Sequence, residues 1–210
     1  MSLPVYDYRT DVRNILVTPH IRSRFMRLDP GGTASFHSHD LGHEIFLVLE
    51  GRAEFTIDGE TGEVGPGQMC IALVDQSHSV RTIGDDPMTM YLSVTPHIQP
   101  THTGRTETGD RKPLRFSPNT AYDVDPDSAV SFDDRLDRHV RAARTVANAA
   151  QIAAQIQQTM ADKLRQARAS GDSEATEEAR NTMWETLYTL YHEIYALADE
   201  WNDLAPRATE

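Results

Sequence analysis

The rhythm of polar and apolar positions changes once along the chain. Up to about residue 97, short apolar segments alternate with turn residues, and strands are predicted near 14–18, 21–28, 34–37, 44–49, 53–58, 68–73, 78–82 and 88–95. Between them stand Asp29-Pro30-Gly31-Gly32, Glu50-Gly51, Asp58-Gly59 and Gly84-Asp85-Asp86-Pro87. Asp58-Gly59 suits a two-residue hairpin turn, because both residues tolerate positive φ. Many short strands at this spacing predict an antiparallel sandwich or small barrel over residues 1–97.

Residues 98–130 are rich in Thr, Pro, Asp and Arg and show little periodicity, so they are read as an irregular connection with room for one strand around 114–116. Residues 131–204 are read as an α-helical hairpin. Of 12 glycines only Gly171 follows Gly109, and no proline falls between Pro126 and Pro206. Ser131, with Asp134 three residues on, opens the first helix, and Gly171 closes it. Ala143, Ala147, Ala150 and Ala154 are expected on its buried side. In the second helix Met183, Leu187, Leu190, Ile194, Leu197, Trp201 and Leu204 step as a heptad seam. Trp184, Tyr188, Tyr191, Tyr195 and Ala198 form a second stripe beside it, so this helix calls for more than one neighbour.

Composition narrows the function. The 210 residues carry 20 basic and 32 acidic side chains, a net charge of −12. Nucleic acid and anionic lipid are thereby disfavoured as partners, since Lys and Arg supply most of that affinity. Residues 121–210 alone carry 9 basic and 17 acidic groups, which argues against a DNA-reading helix in that half. No apolar run approaches the ~18 residues of a membrane span, and no leader of charged then apolar residues opens the sequence. With Cys70 as the single cysteine, a cytoplasmic protein is expected.

The chemistry concentrates between Gly31 and Gly51. His37 and His39 lie two apart on a strand, so both rings leave one face. Glu44 follows across a turn containing Gly42, where a hairpin can return its carboxylate to the imidazoles. His78 opens a later strand after Asp75-Gln76-Ser77. Three imidazoles and one carboxylate suit a borderline divalent cation such as Mn, Fe, Co, Ni or Zn, leaving two positions open if the metal is octahedral. His43 adjoins Glu44 with opposite parity and is expected to face outward. His20, His97, His102, His139 and His192 are read as structural or exposed, and Cys70 as a small buried hydrophobe.

Strand parity also proposes a pocket. With Glu44 inward, Phe46 and Val48 follow it, and Val80 and Thr82 follow His78 with Arg81 outside. Ile45, Leu47 and Leu49 then face outward and call for a cover, which favours a homodimer or docked helices. The apolar lining suits a small organic ligand. Arg22, Arg24 and Arg27 offer guanidinium groups for a carboxylate, or else form a solvated face. Glu50, also of inward parity, and Tyr91 are not assigned a catalytic role. Asp123, Asp125, Asp127 and Asp134 are spaced somewhat like a calcium loop, but Ser128 replaces the turn glycine, so an acidic linker ending in a helix cap is the better account.

Gly31, His37, His39, Glu44 and Gly51 match without a gap the first motif of the cupin superfamily, which this region resembles. Gly67 and His78 fit the spacing of the second motif, where Leu73 replaces the usual proline and Asp75 the usual glycine. The resemblance covers residues 13–97. It implies a small antiparallel β-barrel or jelly roll with a metal held inside by His37, His39, Glu44 and His78, often as a dimer. It implies no single reaction. A metal-dependent enzyme of dioxygenase or isomerase type, acting on a small organic substrate, is the leading expectation. A non-catalytic small-molecule-binding or regulatory protein with a helical interaction region is the alternative.

Overall fold

The computed structural model describes residues 3–125 and 127–209. They fall into two compact units: one runs to Asp127 and is rejoined by a short 3-10 helix at Ala205–Thr209, and the other is Ser128–Leu204. The first holds ten strands: β1 Asn14–Val17, β2 Arg22–Leu28, β3 Thr33–Ser38, β4 His43–Glu50, β5 Ala53–Ile57, β6 Glu60–Val64, β7 Met69–Ala72, β8 His78–Thr82, β9 Met88–Thr95 and β10 Thr103–Gly104. They form two five-stranded antiparallel sheets, ordered β1-β2-β9-β4-β7 and β10-β3-β8-β5-β6. This is the jelly roll that the spacing predicts.

Alternation drives the packing. On β4, Glu44, Phe46 and Val48 are buried, while Ile45, Leu47 and Leu49 are half covered. On β8, His78, Val80 and Thr82 are buried and Arg81 is exposed. Phe46 and Val48 meet Phe55 of β5, Val80 of β8 and Met88, Met90 and Leu92 of β9 in one apolar core. The β4 strand can end at Gly51 only as glycine. Its φ is +69°, and a Cβ there would lie 2.3 Å from the Pro87 carbonyl oxygen.

Three details of this unit differ from the sequence reading. The Asp58-Gly59 turn, with φ values of 51° and 86°, joins β5 to an edge strand, β6, whose Glu60 to Glu63 are all exposed. No alternation marks such a strand. Residues 114–116 are not a strand, and the added pairing is made instead by β10 along β3. Glu50 does not face inward: the register slips between Val48 and Glu50, and the exposed carboxylate accepts a hydrogen bond from the Tyr8 hydroxyl at 2.9 Å. The acidic stretch from Asp123 to Asp134 crosses Pro126, which lies outside the described residues. Asp123 ends a 3-10 turn at Asn119–Tyr122 and accepts two hydrogen bonds from Asn14, whereas Asp134 serves a helix cap.

The second unit is a hairpin of α1 (Phe132–Ser170) and α2 (Ser173–Leu204). The Ser131 hydroxyl accepts from the Asp134 N–H at 3.1 Å, and Gly171 closes α1 with φ 72°. The stripe buried on α1 runs through Ala153, Met160 and Ala167, with Val146 and Ala149 half covered. Ala147, Ala150 and Ala154 are exposed, one helical position off the seam. Alanine is neutral enough to occupy either face, so its abundance misplaced the stripe. On α2 the seam is half buried and ends in a buried Leu204, while Trp184, Tyr188 and Tyr191 stay more than half exposed. Among the described residues no helix is long and apolar enough to cross a membrane.

Candidate metal centre

Both sheets contribute to one cluster. His37 on β3 pairs in register with His78 on β8, His39 stands just beyond the end of β3, and Glu44 comes from β4 of the facing sheet. Their ligating atoms all lie within 4.8 Å of one another. Glu44 Oε2 is 2.9 Å from Nε2 of His39 and of His78 and 3.7 Å from Nε2 of His37. The replaced turn glycine costs the site little: Asp75 adopts φ 65°, and Asp is one of the few side chains that visits this left-handed region. Its N–H donates to the His39 carbonyl.

Proton placement decides what the cluster can hold. Nδ1 of His37 contacts the Ser35 carbonyl at 2.9 Å, Nδ1 of His78 the Gln76 carbonyl at 2.9 Å, and Nδ1 of His39 the Thr101 carbonyl. A carbonyl only accepts, so each Nδ1 carries a proton and each ring turns its Nε2 inward. Nε2 of His37 and His78 are 3.1 Å apart. Three inward ring nitrogens and a buried carboxylate this close call for positive charge among them, whether a proton or a metal ion. Burial holds His39 below its ordinary pKa, which opposes a second proton on that ring. For Glu44, burial pushes upward, but contacts with the three imidazoles outweigh it and hold the carboxyl well below the usual range. The donor set therefore fits a divalent transition metal, with carbonyl-anchored imidazoles of the kind that orient metal-bound histidine.

A cavity of about 260 Å³ opens beside this cluster. Its lining is mostly apolar, through Met26, Phe46, Val80, Met90 and Leu92, with Arg22, Arg24, His102 and Tyr122 as further polar groups. Arg22 lies 3.7 Å from Glu44 Oε1 and 3.4 Å from Nε2 of His102, and stacks over Tyr122. His102, read from the sequence as structural or exposed, instead packs against His37 and His39 with ring centroids 5.0 and 4.8 Å away. Only its neighbour β10, two residues long and pairing with His37 and Ser38, brings it there, and no motif announces it. Burial keeps its pKa well below the ordinary value, so the ring is neutral. His97, buried nearby against Tyr122, is pushed down to about 3 by burial and by Arg22.

The remaining candidates lie elsewhere. Arg27 is exposed, as are His20, His43 and His192. His43 accepts the Val74 N–H at 3.0 Å. His139 packs on Trp201 within the helical unit. Tyr91 points away from the cavity to the Ser23 hydroxyl, and Cys70 is half buried with its thiol pushed up to about 11, hence protonated.

Residues 24–95 match the model of the cupin domain family. A protein of Streptomyces cyaneus described as polyketide synthase CurC is 33% identical over 103 residues, which cover 47% of this chain and 67% of that protein. The chain belongs to the cupin superfamily. A second cupin-region match, 30% identical over 60 residues, is to an oxalate-binding protein of Thermotoga maritima, and spans 29% of this chain and half of that protein. Among solved structures, a double-stranded β-helix protein of Klebsiella pneumoniae aligns at 22% identity and TM-score 0.43, covering 45% of this chain and 91% of the other. The structure of KdgF from a Halomonas species aligns at 22% identity and TM-score 0.38, covering 42% and 79%.

Proposed function

We propose that this cupin is a metal-dependent enzyme of dioxygenase or isomerase type, acting on a small organic substrate. His37, His39, Glu44 and His78 would hold one divalent ion, iron, manganese, nickel or zinc. The observation that carries this reading is the convergence: three imidazoles anchored through Nδ1 turn their Nε2 atoms toward one buried carboxylate. A metal bound there supplies Lewis acidity and open positions for substrate oxygen. The chain's own residues do the rest. The apolar walls exclude water and orient the body of the substrate, and Arg22 braces the Glu44 oxygen that faces it. Since arginine only donates, Nε2 of His102 accepts from Arg22 and its proton sits on Nδ1, 3.5 Å from the Tyr122 hydroxyl.

Elemental mass spectrometry on chelator-free protein tests the reading. Near-stoichiometric metal is expected in the native chain and none in His37→Ala or Glu44→Ala; no uptake after reconstitution would overturn it. A second reading, a non-catalytic small-molecule-binding or regulatory cupin, is favoured by the exposed Trp184, Tyr188 and Tyr191 stripe, which suits an interaction role. Turnover of phenols, diketones and sugar derivatives by the metal-loaded protein separates the two. The same proposal includes a homodimer in the cytoplasm, supported by the single cysteine and by the half-covered outer row of β4 continuing into exposed Met69 and Ile71. Sedimentation velocity tests the dimer.

A further inference from the structure

The two cavity arginines are used very differently. Arg22 is engaged through a terminal nitrogen with Glu44 and His102 and through its face with Tyr122, although its Nε, like that of Arg24, is buried without a partner. Arg24, two residues along the same face of β2, lines the cavity with no hydrogen bond or ion pair among the described residues, and its Nε is sealed from water. A solvated arginine needs no partner, as exposed Arg27 illustrates; a half-buried one with an orphaned Nε does. Asp123 acts on Arg24 electrostatically but forms no ion pair with it, and its Oδ2 accepts both the backbone and the side-chain N–H of Asn14.

Charge points the same way. In a chain of net −12, this cavity gathers two guanidinium groups against the single carboxylate of Glu44. A divalent ion at the centre would widen that imbalance. Burial lowers the pKa of Arg24 below its ordinary value, so its charge is kept at a cost that an anion on the guanidinium would relieve. Apolar side chains supply the rest of the wall, and the volume of about 260 Å³ sits at the small end for ligand pockets.

We propose that Arg24 is the carboxylate-binding residue of this pocket, and that the ligand is a small monocarboxylate with an apolar body, gripped by the Arg24 guanidinium while its remaining polar atoms face the His/Glu cluster. The planar fork of guanidinium matches a carboxylate bidentately, which an ammonium does not. This rests on the reading of the cluster as a metal centre for the orientation of the ligand, and not for its charge.

The test compares benzoate with benzamide, equal in size and shape and different in charge. Dissociation constants are measured by calorimetry on the full chain, with and without Mn²⁺, and metal content is determined on each sample. The native chain should bind benzoate about tenfold more tightly than benzamide in both states, as expected of a charge-assisted contact. Arg24→Gln should reduce that preference to about twofold or less, and Arg24→Lys should keep only part of it. No preference in the native chain, or a preference undiminished in Arg24→Gln, overturns the proposal. Should Arg24→Gln fail to fold, Arg24→Lys decides: an unchanged preference overturns it and a reduced one supports it. Failure of the native chain to take up Mn²⁺ would count against manganese at the cluster and leave this proposal intact, because the metal-free comparison still reads Arg24.

Discussion

The two ends of the barrel interior are built on opposite principles. At one end Val48, Phe55 and Met88 fill the space between the sheets with apolar atoms, each almost wholly buried. At the other, Glu44, His39, His78, His97 and Arg22 are buried just as deeply. Burying apolar surface drives folding, whereas burying ionisable groups opposes it unless they are paired. The same two sheets thus carry a region that stabilises the fold and a region that the fold has to tolerate. Nothing in packing alone asks for the second, which is why it is read as the working part.

That contrast can be broken at several points. The largest expected effect is at the apolar end, where Phe55→Ala should cost about 3–5 kcal/mol in urea unfolding. It should leave metal stoichiometry unchanged in the folded protein, and a cost under about 1 kcal/mol would mean that this end is not the source of stability. At the polar end, saturating metal at a hundred times its dissociation constant should raise stability by about 2.7 kcal/mol. His78→Ala should abolish that gain, and a gain that survives would place the ion elsewhere.

Acid probes the same end without metal. His97 titrates at about 3 when folded, against an ordinary 6.5. The unfolded chain therefore binds the extra proton first, so stability is full above pH 6.5 and falls as pH drops toward 3. The slope is about 1.4 kcal/mol per pH unit for one such histidine, or about 2 kcal/mol lost by pH 5, with His102 adding in the same direction. In metal-free protein His97→Gln should flatten the curve; an unaltered slope would show that the imidazole is not held neutral. Tyr122→Phe is the mildest change. Its hydroxyl lies a long 3.5 Å from His102, so its removal should shift stability by no more than about 0.5 kcal/mol. A larger loss would mean that the polar end is a tightly coupled network.

The apolar end was the more legible in sequence. Period-two alternation on β4 and β8 names Phe46, Val48 and Val80 as inward, and the Asp58-Gly59 pair marks its hairpin. At the polar end, His37, His39, Glu44 and His78 could be picked out because fixed spacing reports them, and the fold does bring them together. His102 could not, since its place depends on a two-residue strand that no periodicity reveals. Parity also fails where the ladder slips, which is how Glu50 reaches solvent. Arg22 and Arg24 share a face of β2 with Met26, but parity cannot tell that one guanidinium is paired and the other is not.

The carbonyl that anchors the His39 ring belongs to Thr101, in the segment between β9 and β10. The same stretch continues through His102 and on to Tyr122, both of which wall the cavity. Pocket wall and ligand anchor therefore belong to one stretch of chain. A displacement of this stretch large enough to pull Thr101 away would release the His39 ring from its anchor.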